Sequence, residues 1–142
     1  MADVTISGIA TEATTVGDDD WLEVEQGGTS MKAKAGKLRV SAENVQTGDY
    51  TLVLADAWKL VTINKATAST LTVPPNSSVA FPVGTRIDIG QDGAGQMTVA
   101  AGAGVTIRTP ETLKIRKQWG KATIIKRATD TWDIEGNLEA AP

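Results

Sequence analysis

The chain has 142 residues, enough for one ordinary domain with a small appendage, and only 4% of them are aromatic, so a core must rest on aliphatic side chains. It contains no Cys and no His, which excludes disulfides, thiolate nucleophiles, histidine-ligated metals and every catalytic pair that uses a histidine. The formal net charge is -3, no apolar run approaches the roughly 20 residues of a membrane span, and residues 1–20 lack the pattern of a secretion signal.

The first predicted element is a β-hairpin within an N-terminal segment, residues 1–47. Apolar residues alternate with acidic ones before Gly27-Gly28 and with lysines after it. A tight turn at these glycines gives a register with opposite charges on one face and apolar pairs on the other. The predicted pairs are Leu22 with Ala33, Val24 with Met31, and Glu23 with Lys32. An isolated hairpin is marginally stable, so its apolar face, with Trp21, needs cover from the main domain, another subunit or a larger assembly.

Residues 48–142 are predicted to form a β-rich domain. Short runs alternate between apolar and polar residues and are bounded by Gly, Pro or Asp, which is typical of half-buried antiparallel strands. The predicted strands are Tyr50–Leu54, Lys59–Asn64, Thr70–Val73, Thr85–Ile89, Gln96–Ala100, Val105–Arg108, Leu113–Ile115, Ala122–Lys126 and Trp132–Glu135. Residues 54–59 can form one helical turn, and the glycines of residues 93–95 and 102–104 are interpreted as hairpin turns with positive φ. The sequence therefore predicts an all-β fold, a small antiparallel sandwich or barrel-like knob, and leaves the strand order open.

No motif in the chain carries recognisable chemistry. Asp18-Asp19-Asp20 lacks the alternating ligand spacing of a calcium loop, and a solvated turn is the favoured interpretation. The glycine clusters complete neither a dinucleotide fingerprint nor a phosphate loop. Carboxylates for glycoside cleavage could come from four acids, but nothing in the sequence selects a pair. These are Asp88, Glu111, Asp133 and Glu135. We therefore expect no enzyme activity, no catalytic residue, no cofactor and no metal.

A basic run, residues 114–121, contains Trp119 and raises the question of nucleic-acid binding. Basic residues bind nucleic acid because they release counterions from its phosphates. The chain as a whole is acidic, so only this segment could supply such a group of basic residues. Trp119 and Trp132 are better interpreted as large core or interface residues. We expect no nucleic-acid partner and no membrane partner.

Several short stretches of sequence between Tyr50 and Gly136, in the same order along the chain, resemble a domain that recurs in structural proteins of tailed bacteriophages and prophages. These runs are Tyr50–Ala57, Leu71–Pro75, Phe81–Thr85, Gly93–Gln96, Gly104–Thr106, Leu113, Ile124–Lys126 and Thr131–Gly136. They cover well over half of the chain. The departure is Trp58, where the family pattern has a small residue. The upstream run, residues 18–38, is similar to the start of many phage fibre proteins.

The resemblance implies a homotrimeric virion component that is displayed on the particle surface after synthesis in the host cytoplasm. We expect a head fibre or capsid-decoration protein, with the short chain favouring the head. The N-terminal segment would bind the major capsid protein or another virion protein through Trp21, Leu22, Val24 and Met31. The alternative is a tail-fibre or receptor-binding module that recognises host-surface glycan through an exposed Trp or Tyr.

Overall fold

The computed structural model describes residues 21–26, 29–34 and 42–142, and the chain divides into two compact units, Met1–Val40 and Ser41–Pro142. The cluster Asp18-Asp19-Asp20 and the turn Gly27-Gly28 lie outside the described residues. Residues 43–46, which fall within the predicted N-terminal segment 1–47, form a strand of the second unit.

The first unit contains the antiparallel pair β1 (Trp21–Gln26) and β2 (Thr29–Lys34). Its register pairs Leu22 with Ala33, Glu23 with Lys32, and Val24 with Met31. The predicted hairpin register is therefore confirmed. Complementary charges and apolar pairs favour this register, because a slip by one residue would place every side chain on the opposite face.

The second unit consists of nine further strands and one short 3-10 turn, Leu54–Asp56. The strands are β3 (Glu43–Gln46), β4 (Tyr50–Thr51), β5 (Leu60–Ile63), β6 (Ser69–Val73), β7 (Arg86–Gln91), β8 (Met97–Ala101), β9 (Thr106–Arg108), β10 (Lys121–Ala128) and β11 (Thr131–Gly136). The predicted all-β class is confirmed, and most strands lie within one or two residues of their predicted bounds. The predicted strand at residues 113–115 instead forms two isolated bridges, Thr98 with Lys114 and Ile115 with Leu138.

The strands of this unit form two sheets, a mixed one and a parallel one. One has six strands in the order β3-β5-β7-β10-β11-β9, and the other has three, β4-β6-β8. Only the pairs β7–β10 and β10–β11 are antiparallel, and the other five pairs are parallel. The prediction of antiparallel pairing was therefore wrong for most strand pairs of the domain. Alternation of apolar and polar residues has the same period in both arrangements, so it does not distinguish them.

Four of the five parallel pairs arise because the chain winds alternately through the two sheets. From β3 to β8, each odd-numbered strand joins the six-stranded sheet and each even-numbered strand joins the three-stranded sheet. Parallel neighbours need a crossover connection, which is commonly a helix. Here a strand of the other sheet provides that connection.

Both sheets contribute to one hydrophobic core. Ile87, Ile124 and Ile134 come from the six-stranded sheet, and Leu71 and Val99 come from the three-stranded sheet, and all five are buried. Trp132 is 1% exposed, and its ring meets that of Phe81 edge to face with centroids 5.5 Å apart. Trp132, predicted to be a core or interface residue, is therefore a core residue.

Two glycines of one predicted turn, residues 93–95, make close backbone contacts instead. A Cβ on Gly93 would lie 2.1 Å from the Lys65 carbonyl oxygen, and one on Gly95 would lie 1.9 Å from that of Thr67. Neither residue has a positive φ, whereas Gly104 does, at 79°. The hairpin interpretation of residues 93–95 was wrong because β7 and β8 belong to different sheets, and the glycines let the connection pass against residues 65–67. Within the described residues, no helix has the length and apolar character of a membrane span.

Candidate functional site

A groove of about 800 Å³ crosses the outer face of the six-stranded sheet. One row of paired residues runs through it, with one residue from each of five neighbouring strands. These residues are Glu43, Leu60, Asp88, Thr123 and Glu135. All five belong to the groove lining, and Lys121 lies beside them. The groove therefore presents three carboxylates and one ammonium group around a half-buried leucine.

Neighbouring threonines orient two of the groove carboxylates. The Thr123 hydroxyl donates to Asp88 Oδ1 at 2.6 Å, and the Thr62 hydroxyl donates to Glu43 Oε1 at 3.1 Å. Asp88 and Glu135 stand on either side of Thr123, so their Cα atoms are roughly 10 Å apart, two strand spacings. Carboxylates held in this way can accept hydrogen bonds from hydroxyl or ammonium donors.

The four acids considered for glycoside cleavage separate into two groups. Asp88 and Glu135 share the groove. Asp133 instead pairs with Arg108 at 2.7 Å and with Arg127 at 3.5 Å. Glu111 Oε2 accepts a hydrogen bond from the Ala141 N–H at 2.9 Å. In the part of the chain that the structure describes, no three acidic residues are grouped as a metal site would require.

The second notable feature is an apolar end of the domain, which we define as Val53, Leu54, Trp58 and Val83. These residues are 44%, 54%, 62% and 65% exposed. The Trp58 N–H donates to the Arg86 carbonyl at 2.8 Å, which places Trp58 at the end of the sheet where β5 and β7 begin. Val83 shortly precedes β7 at the same end.

A buried carboxylate shapes the turn that carries Trp58. Asp56 is 1% exposed, and it accepts hydrogen bonds from the Val53 N–H at 2.9 Å, the Tyr50 hydroxyl at 3.0 Å and Asn44 Nδ2 at 2.8 Å. Burial, followed by the hydrogen bond to Asp56, raises the pKa of Tyr50 above its usual 10.0. This network fixes the turn that follows β4, because one carboxylate binds the Val53 N–H, the Tyr50 hydroxyl and the Asn44 amide together.

The two exposed tryptophans of residues 42–142 have left-handed backbones. Trp58 has φ 65° and Trp119 has φ 68°, and Trp119 is 70% exposed. Side chains make this conformation unfavourable by about 1–2 kcal/mol. Trp119 is bonded through its N–H to the Gln91 carbonyl, so the two tryptophans flank opposite ends of β7. Strained residues of this kind point to surface function rather than to stability.

Trp119 therefore does not belong to the core, in contrast to Trp132. The departure at Trp58 was the only sequence signal for the apolar end. No signal indicated the groove, because its row depends on the register of parallel strands that are distant in sequence.

The predicted anchor residues lie on the hairpin of the first unit. Trp21, Leu22 and Val24 are on β1, and Met31 is on β2. Leu22 and Val24 share one face of the hairpin with Met31, which is paired with Val24. Their binding role stays a prediction.

No family model matches this chain, and no curated protein or solved structure is significantly similar to it.

Proposed function

We propose that this chain is a non-enzymatic structural protein of a tailed-bacteriophage virion, a homotrimeric head fibre or capsid-decoration protein. The apolar end is the observation that carries this proposal. A domain with a complete core of its own still exposes a tryptophan, a leucine and two valines at one end of a sheet. Sister copies around a threefold axis would cover such a surface.

Burial of this end would contribute substantially to assembly. Trp58 is 62% exposed, which leaves on the order of 100–150 Å² of its surface in water. Removing that area from water contributes about 3 kcal/mol per copy at 25 cal/mol per Å². The strained Trp58 backbone is then offset in the assembly, where its ring is buried.

The first unit, residues 1–40, would attach the protein to the particle. In this proposal the hairpin binds the major capsid protein or another virion protein through Trp21, Leu22, Val24 and Met31. The β domain is displayed outward, on the virion surface. The resemblance of residues 18–38 to the start of phage fibre proteins supports this division.

Two variants test the proposal. Removal of residues 1–40 leaves the compact unit Ser41–Pro142 and should give a folded trimer that no longer binds phage particles. Trp58→Gly relieves the left-handed backbone and should dissociate the trimer in analytical ultracentrifugation. Trp119→Gly, which relieves the same strain at the other end of β7, is the matched control and should remain trimeric. Full particle binding without residues 1–40, or a monomeric wild type at micromolar concentration, would contradict the assignment.

The groove favours a second candidate, a tail-fibre module that binds host-surface glycan. Its carboxylates could accept hydrogen bonds from sugar hydroxyls, and exposed Trp119 could stack on a sugar ring. Purified protein should then bind host cells or lipopolysaccharide, and Trp119→Ala should abolish binding while Trp58→Ala retains it. Immunolabelled electron microscopy distinguishes the two candidates, because it locates the protein on the head or on the tail.

A further inference from the structure

Lys126 projects from β10 into the core. The residue is 2% exposed, and its Nζ donates to Asn76 Oδ1 at 2.5 Å and to the Phe81 carbonyl at 2.8 Å. The centroid of the Trp132 ring lies 5.9 Å from Nζ. Among the described residues, Lys126 forms no ion pair with a carboxylate. A buried ammonium group without an opposite charge is costly, and neutral oxygens and an aromatic ring compensate it only in part.

Asn76 is held against this amine by its own loop and by the turn between β10 and β11. The Asn76 N–H donates to Asp130 Oδ1 at 2.6 Å, and the Ser78 N–H donates to the Pro75 carbonyl at 2.9 Å. Asn76 Oδ1 is bonded directly to Cγ, so Lys126 Nζ lies beside the carbonyl carbon of a primary amide. Fixing a nucleophile and an electrophile next to each other gives them a high effective concentration.

From this arrangement we propose that Lys126 and Asn76 form an intramolecular isopeptide bond. The Lys126 ammonium group first gives up a proton, and the neutral Nζ then attacks Asn76 Cγ. A new C–N bond forms, and the bond from Cγ to Asn76 Nδ2 breaks as that nitrogen takes up a proton. The lysine begins as an ammonium ion, and the leaving nitrogen departs as an ammonium ion, so atoms and charge balance without any external reagent. No atom changes its oxidation state.

The surroundings favour the product. The reaction replaces a buried positive charge with a neutral amide, and it releases the charge to water as ammonium. Asp130 Oδ1 accepts a hydrogen bond from the Asn76 N–H. In this proposal its carboxylate takes the proton of the attacking amine and passes it to the leaving nitrogen. The rings of Trp132 and Phe81 exclude water from the amine, which protects the amide from competing hydrolysis.

The bond would join two segments that are 50 residues apart in sequence. It would tie the loop after β6 to β10 and enclose β7, β8 and β9 in a covalent ring. This inference does not depend on the proposed virion role. It concerns a modification that the chain performs on itself.

Intact mass spectrometry of the purified full-length protein under denaturing conditions tests the proposal. The wild type should be lighter than its sequence mass by one ammonia molecule, and its formal net charge should change from -3 to -4 because the Lys126 charge is lost. Tandem mass spectrometry of a tryptic digest should find one branched peptide that contains both residues. A wild type with the full sequence mass would overturn the proposal, whether or not any variant folds.

Variants separate this reaction from other losses of ammonia. Lys126→Met and Asn76→Ala should both keep the full sequence mass, and Asn76→Asp should lose one water molecule instead. If the ammonia loss persists in Lys126→Met, it arises from cyclisation of an asparagine onto its own backbone, and the proposal is wrong. Asp130→Asn keeps an acceptor for the Asn76 N–H but removes the carboxylate, so it should slow the mass change after synthesis at least tenfold. An unchanged rate would remove Asp130 from the mechanism.

Discussion

Replacement of Asp56 by asparagine keeps the side-chain shape but removes an acceptor from a buried network. The carboxylate receives hydrogen bonds from Asn44 Nδ2 on one oxygen, and from the Tyr50 hydroxyl and the Val53 N–H on the other. An amide has one acceptor oxygen and one donor group. If its oxygen serves Tyr50 and Val53, its NH₂ group faces the NH₂ group of Asn44. In the other orientation, Tyr50 and Val53 both lose their acceptor.

Either orientation leaves about two buried polar groups without a partner. Asp56 is 1% exposed, so water cannot replace the lost acceptor. Each unsatisfied buried group costs about 1–3 kcal/mol, which predicts a loss of about 2–5 kcal/mol in the free energy of unfolding for Asp56→Asn. For a unit of this size, such a loss lowers Tm by about 10 °C or more.

Urea unfolding followed by tryptophan fluorescence measures this loss, since Trp132 is buried in the core of the same unit. Protein concentration must be fixed, because assembly adds to apparent stability. The matched control is Asp49→Asn, which removes a carboxylate whose side chain is 64% exposed and which binds Lys65 at 3.1 Å. The control should leave the urea midpoint almost unchanged. Equal midpoints for the two variants would refute the assignment of Asp56 as a structural centre.

Three further predictions concern Tyr50, Gly95 and Ile124. Folding raises the pKa of Tyr50, so the stabilising contribution of this residue should be complete below pH 10.0 and lost as the pH rises through the higher folded-state pKa. The chain has one tyrosine, so ultraviolet titration of the folded and the urea-unfolded protein measures both pKa values. Identical titration curves would contradict the prediction. Gly95→Ala should lower the free energy of unfolding by at least about 2 kcal/mol, because the added Cβ would meet a backbone carbonyl. Gly48 has open space around it, so the control Gly48→Ala should be within about 0.5 kcal/mol of the wild type in urea unfolding. Ile124→Ala should lower the free energy of unfolding by about 2–5 kcal/mol in the same assay, because Ile124 is buried in the core. Ile125 lies on the half-exposed face of the same strand, so Ile125→Ala should lower it by about 1 kcal/mol or less. Similar losses for the two variants would mean that the two faces of β10 are misassigned.

The strand positions and the hairpin register could be predicted from the sequence because they depend on local rules. Turn residues bound each strand, and alternation assigns each side chain to a face. Leu22 opposite Ala33 and Glu23 opposite Lys32 follow from the position of Gly27-Gly28 alone. The bulk of Trp132 and its position in an alternating strand placed it in the core.

The pairing of strands and the groove could not be predicted, because they depend on residues far apart in the chain. Glu43, Asp88 and Glu135 become neighbours only through the register of four strand pairs. The role of Asp56 was hidden for a similar reason, since Asn44 and Tyr50 reach it from outside the turn. Trp119 resembled a core residue by its size, but its left-handed backbone places it in solvent.

The alternate winding of the chain through two sheets has a consequence for folding kinetics. Four of the five parallel pairs require the chain to travel out through the opposite sheet and back, so loop closure opposes folding before any of them forms. The hairpin of β10 and β11, joined by Thr129 and Asp130, is the local exception in the second unit and is the natural nucleus. We expect this unit to fold in milliseconds to seconds, like other β-proteins of high contact order. Newly synthesised copies would expose unpaired strand edges during that interval, so dilute conditions should favour correct refolding over aggregation.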